Sequence, residues 1–173
     1  MNERFYILLT SRHPSFPFRS TLSAPAVRYS PKFYKDLVSE AGTTKFNYDG
    51  KYIKYGYVNG FPVAAVCARL EPIEGTEDKL KMYIMTINVL AAYRRRGVAS
   101  TLLTHILKEA AKDANIEAIF LHVQTSNDDA KSFYLAHGFI EDSVVENYYT
   151  RVEPASAFLL HKANDGSTGS KSQ

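Results

Sequence analysis

Between Lys79 and Val123 the hydrophobic period changes twice, and this constrains the fold more than any other stretch. Lys79–Val89 (KLKMYIMTINV) reads as a strand. From Val98 to Lys112, a single helical stripe collects Val98, Ala99, Leu102, Leu103, Ile106, Leu107, Ala110 and Ala111, the strongest helix signal in the chain. Ile116–Val123 (IEAIFLHV) is then a nearly continuous apolar run, as expected of a strand covered on both faces. Strand, helix and strand in this order predict an α/β layout with parallel neighbours in a mixed sheet.

The rest of the chain fits around this centre. Pro31 to Ala41 (PKFYKDLVSEA) carries apolar residues at helical spacing between an N-cap at Ser30 and a stop at Gly42. Tyr52–Val58, the turn Asn59-Gly60 and Phe61–Leu70 predict a β-hairpin, because Asn-Gly supplies the positive φ angles of a two-residue turn. The polar loop Glu71–Asp78 leads into the central strand. A second helix spans Asp128 to Ala136 and stops at His137-Gly138, and strands are predicted over Phe139–Val145 and Thr150–His161. Glu3–Thr10 suits an edge strand. The expected divisions are an atypical segment 1–26, a main domain 27–162 and a disordered polar tail 163–173.

With 173 residues and 45% apolar content, one domain with a sizeable core is expected. The formal charge of +3 suits an anionic small ligand as well as nucleic acid, so its distribution has to decide. Cys67, the single cysteine, lies in an apolar run, which forbids disulfides within the chain and makes a metal site improbable. No apolar run reaches the ~20 residues of a membrane span. The sequence reads as soluble and intracellular.

Tyr93-Arg94-Arg95-Arg96-Gly97-Val98-Ala99-Ser100 joins the central strand to the best helix. Free backbone N–H groups and the helix dipole favour an anion there, the arginines add charge, and Gly97 lets the backbone approach closely. A pyrophosphate cradle and a solvated basic turn both fit these residues. A nucleic-acid face would spread its basic residues more widely, and the adjoining helix carries mixed charges instead.

Arg94-Arg95-Arg96-Gly97-Val98-Ala99 resembles the R/Q-x-x-G-x-G/A loop of the Gcn5-related N-acetyltransferase superfamily. Asn127, Ala130, Tyr134 and Gly138-Phe139 are similar to that superfamily's second signature. More narrowly, VRYSPKFYKDL, KMYIMTINVLAAYRRRG, IFLHVQTSN and NYYTRVEPASAFLL resemble the catalytic subunits of NatE-type protein N-α-acetyltransferases, over about Val27 to Lys162. The resemblance implies a mostly antiparallel, twisted mixed sheet flanked by helices, with acetyl-CoA as co-substrate and no metal. It places the cofactor against Ile87, Asn88, Val89, Leu90, the loop Arg94, Arg95, Arg96, Gly97, Val98, Ala99 and Ser100, and against Asn127, Ala130 and Tyr134. The oxyanion would meet a backbone N–H near Val89, and Tyr134 would sit near the thiol.

The resemblance also assigns catalysis to Tyr83 and His122, acting through a water on the substrate amine from opposite walls of a cleft. Taken alone, Tyr83 alternates with Met85 and Ile87 and equally suits the core, while a lone strand histidine is commonly structural. His105 reads as solvated on the polar helix face. Peptide recognition is implied for Val27 and Tyr29 on one side, Met85 beneath, and Tyr148, Tyr149 and Arg151 on the other. An unbranched pocket points to a retained initiator methionine followed by a hydrophobic residue.

The family's Phe-Pro-Val-x-Tyr motif is displaced here to Pro25-Ala26-Val27-Arg28-Tyr29, so the N-terminal strand–helix unit is expected to be altered, as an alternative or misassigned exon would make it. Three functions therefore stand side by side. They are an N-α-acetyltransferase, an acetyl-CoA-binding but catalytically impaired subunit, and a lysine or small-amine acetyltransferase. Expected partners are protein N-termini, a ribosome-associated scaffold and a second catalytic subunit, without direct nucleic-acid contact. The expected compartment is the cytoplasm, with the nucleus as a second site.

Overall fold

The computed structural model describes residues 5–8, 52–59, 61–150 and 152–165. The predicted helix Pro31–Ala41, the residues Val27, Tyr29 and Arg151, and all but the first residues of the tail lie outside the described residues. Two compact units are formed, Met1–Arg69 with Thr86–His105, and Leu70–Met85 with Ile106–Gln173.

In the first unit β1 (Phe5–Leu8) runs antiparallel to β2 (Ile53–Val58), from Phe5↔Val58 to Leu8↔Tyr55. It is the edge strand expected there. Strand β2 pairs antiparallel with β3 (Phe61–Pro72), from Ile53↔Cys67 to Val58↔Phe61. Asn59 turns the hairpin with φ +50, the left-handed conformation that asparagine tolerates better than most residues. Val63 to Ala68 are buried, Cys67 among them. Burial pushes the Cys67 thiol up to about 12, so it is an inert core residue, the nearby Arg69 offsetting little of that effect.

Strand β4 (Leu80–Val89) runs through both units, and so does helix α1 (Val98–Ala110). In the first unit, α1 buries Leu102 and Leu103 completely. A single 3₁₀ turn, Ala91–Tyr93, joins strand to helix. His105 corrects the sequence reading: it is half-buried and its Nε2 is shut off from solvent.

In the second unit β4 lies parallel to β5 (Ile116–Gln124), with Met82↔Ile119 and Tyr83↔Phe120 in register. The order continues β5-β7-β6, so β7 (Ala157–Ala163) is inserted antiparallel between β5 and β6 (Ile140–Val145). Helix α2 (Asp128–Ala136) has the bounds its sequence predicts. Met82, Ile84, Ile119, Leu121, Val123, Phe139 and Leu160 form the buried core. The expected double coverage of β5 is only half realised, since Phe120 and His122 on its other face stay half-buried.

Two more expectations are corrected. The last strand begins at Ala157, not Thr150, because the described residues ahead of it are braced as a loop, Tyr149 N–H donating to Ala155 O. The tail predicted to be disordered from Ala163 is ordered at its start: Ala163 ends β7, and Asn164 Nδ2 donates to Ala110 O at 3.0 Å and Ile116 O at 2.7 Å. These carbonyls lie at the end of α1, where Ala110 O also accepts from Asp113 N–H at 3.1 Å, and at the start of β5.

Candidate active site

Strand alternation turns Met82 and Ile84 into the core and leaves Tyr83 on the half-covered face. Register with Phe120 puts His122, two residues further along β5, on that same face. The Tyr83 ring is 4.9 Å from Phe120 and 5.7 Å from His122, centroid to centroid. Both predicted catalytic residues are therefore together, but as neighbours on one sheet face and not on opposite walls. The pairing of β4 with β5 runs as far as Tyr83↔Phe120, and His122 lies two residues beyond it.

A third residue joins them. Tyr148, from the loop between β6 and β7, stacks on the His122 ring at 4.0 Å and 14°. Its hydroxyl also shares a hydrogen bond of 2.8 Å with that of Tyr83. Braces hold the loop in place: Tyr149 N–H donates to Ala155 O at 2.8 Å, Ser156 Oγ to Glu146 at 2.7 Å, and Gln124 Nε2 to Pro154 O at 2.9 Å. The sequence reading gave Tyr148 only a peptide-gripping place. Nothing local in Asn147-Tyr148-Tyr149 signals contact with a strand residue 65 positions earlier.

Burial holds the His122 imidazole below the ordinary histidine value of about 6.5, with the Glu71 carboxylate pulling weakly the other way. The ring is accordingly neutral at physiological pH and able to accept a proton. Its Nδ1 is buried and has no hydrogen-bond partner among the described residues. Burial, and then the neighbouring Tyr148, push Tyr149 up to about 12. Burial likewise raises Tyr134, which packs edge-on against Phe139 at 5.5 Å, so its phenol keeps its proton. Met85, expected beneath a peptide, is half-buried on β4.

The arginine loop has a geometry of its own. Arg94 Nε donates to Val89 O at 3.1 Å, tying the loop to the end of β4. Arg95 at φ +60 and Gly97 at φ +77 both take left-handed backbone conformations, and Arg94 to Gly97 are exposed. A Cβ built on Gly97 would meet nothing within 4 Å. Helix α1 has no acidic residue in its first turn. Helix α2 is the opposite case: Asn127 Oδ1 accepts from Ala130 N at 3.1 Å, and Asp128 and Asp129 follow. One helix N-terminus is thus capped and neutralised, whereas the other begins without an acidic residue, behind an exposed loop of three arginines whose Arg96 lies 5.6 Å over the Tyr93 ring. The residues of this loop fit a pyrophosphate group. Asn127 and Ala130, expected to face the cofactor, are joined to each other by the cap. Asn88 instead directs its Nδ2 to Thr86 Oγ1, beside Ile87, Val89 and Leu90.

An exposed basic loop ahead of a helix with no acidic first turn, and separately a histidine packed beside two phenols, are features of a group-transfer protein. The chain belongs to the acetyltransferase (GNAT) family, whose pattern it matches over residues 14–139. It is 40% identical over 136 residues to the "Probable N-acetyltransferase san" of Drosophila melanogaster, covering 79% of this chain and 67% of that one. It is 39% identical over 137 residues to N-alpha-acetyltransferase 50 of Danio rerio, covering 79% and 74%. Among solved structures, Arabidopsis thaliana Naa50 in complex with the bisubstrate analogue CoA-Ac-MVNAL is similar at 38% identity and TM-score 0.66, covering 79% of this chain and 82% of that one. Among the described residues no group of His, Cys, Asp and Glu side chains could hold a metal, and no helix is long and apolar enough to cross a membrane.

Proposed function

We propose that this chain transfers the acetyl group of acetyl-CoA to the α-amine of protein N-termini, favouring a retained initiator methionine followed by a hydrophobic residue. The observation that carries the reading is the neutral His122 imidazole beside the Tyr83 phenol. An α-amine, with pKa ~7.7–8.0, needs only a modest base to become nucleophilic, whereas a lysine near ~10.4 needs a much stronger one. His122, directly or through water, accepts the proton that the amine loses. Tyr83 orients the amine, and Tyr148 and Tyr149 cover the peptide.

Arg94, Arg95, Arg96 and the N–H groups of Gly97 to Ser100 would hold the pyrophosphate of acetyl-CoA, which supplies an activated acetyl thioester. Likeness to the Arabidopsis protein, whose bound analogue carries the sequence MVNAL, supports the methionine preference. A ribosome-associated scaffold and a second catalytic subunit belong to the same proposal, as does a cytoplasmic and nuclear location.

Thiol release from acetyl-CoA tests it, with peptides beginning Met-Leu, the same peptides blocked at the N-terminus, and an internal-lysine peptide. Turnover is expected with the free terminus, and Tyr83→Phe and His122→Phe should each lower kcat by about 100-fold or more. Turnover confined to lysine, or none while acetyl-CoA still raises Tm, would overturn it.

A further inference from the structure

We infer that Tyr148 is a positioning residue of the acid–base pair, its hydroxyl fixing the Tyr83 phenol and its ring fixing and shielding the His122 imidazole. The inference deepens the acetyltransferase reading and rests on it. A peptide-gripping tyrosine needs only to present its hydroxyl to substrate. Tyr148 instead touches both residues assigned to the chemistry, by a 2.8 Å hydrogen bond and a 4.0 Å stack.

A histidine base is commonly oriented by a hydrogen bond on its second ring nitrogen. That device is missing here, because Nδ1 is buried without a partner among the described residues. A near-parallel ring, 14° from the imidazole plane, is what remains to set the orientation. The loop can do this because two bonds pin it to the end of β5: Gln124 Nε2 donates to Pro154 O, and Thr125 N–H donates to Ser156 O at 3.0 Å. Stacking also removes water from one face of the ring, which disfavours the imidazolium.

The groups acting on His122 can be counted by element. Strand β4 presents Tyr83, the end of β3 presents Glu71, the loop presents Tyr148, and the cross-strand neighbour on β7 is the uncharged Leu159. Among the described residues Glu71 is the group that favours the protonated ring, and burial outweighs it.

Two variants separate the contacts, since Tyr148→Phe keeps the ring and loses the hydroxyl whereas Tyr148→Leu loses the stack. Histidine-labelled protein is titrated by NMR without substrate, and kcat and KM for a free Met-Leu peptide are measured against pH. Tyr148→Phe should leave the His122 titration in place and lower kcat about 10-fold, with KM changed less than twofold. Tyr148→Leu should raise the His122 midpoint towards about 6.5 and shift the acidic limb of kcat to higher pH by the same amount. An unmoved His122 midpoint in Tyr148→Leu, or a loss wholly in KM in Tyr148→Phe, overturns the inference. If the leucine variant fails to fold, the kcat against KM split of the phenylalanine variant decides. Because the titration needs no substrate, a wild-type chain inactive on every peptide would refute the proposed function and leave the shielding of His122 to be judged separately.

Discussion

Gly97 and Arg95 share a left-handed backbone, yet only one of them is glycine. An L-residue in that conformation costs roughly 1–2 kcal/mol, and the loop bears it at Arg95 to place a guanidinium. At Gly97 space is not the constraint, since a methyl group would meet nothing within 4 Å; the φ of +77 is. Gly97→Ala should therefore bend the loop off its geometry, lowering acetyl-CoA affinity by about 10-fold in calorimetry, with a fall in Tm of a few degrees. Where these residues lie on strand and loop was largely readable. Tyr83, His122 and the arginines stand in motifs, and their positions on strand and loop follow from the motifs. The Tyr148 contacts were not readable, because stacking across the β6–β7 loop depends on where Ala155, Pro154 and Ser156 are bonded, and none of these pairings has a local sequence period.

Elements differ in how openly their sequence announces them. Helix α2 was legible to the residue because Asn127 is a strong cap and Gly138, at φ +80, a strong stop. The start of β7 was misplaced because Thr150–Val152 has strand-forming composition, while the bonds that hold Pro154 and Ser156 ahead of the strand come from Gln124 and Glu146, on other segments. The two helix N-termini offer a clean test of the anion reading. Ser100→Asp places a carboxylate in the first turn of α1, where it should stabilise the free protein by about 0.3–1 kcal/mol through the helix dipole. The same charge should repel a pyrophosphate, so Tm without ligand rises slightly while the increase caused by acetyl-CoA shrinks or disappears. A matching rise with and without ligand would show that the α1 terminus holds no phosphate.

The whole molecule draws stability from pairings remote in sequence. Asn164 satisfies two carbonyls at once, those of Ala110 and Ile116, from a segment whose small polar composition suggested no structure at all. Asn164→Ala should cost about 1–3 kcal/mol, seen as a lower urea midpoint with an unchanged slope. Composition could not reveal this, since the same asparagine in a solvated tail would look identical. The strand order β5-β7-β6 has a further consequence, which concerns time. As the chain is synthesised, β6 appears before the strand it must pair with, and β5 waits through α2 and β6 for its second neighbour. The unit carrying Tyr83, His122 and Tyr148 can therefore close only when residues 157–164 are free to enter the sheet, so a chain still held at that point by the machinery that makes it has its parts but no assembled site.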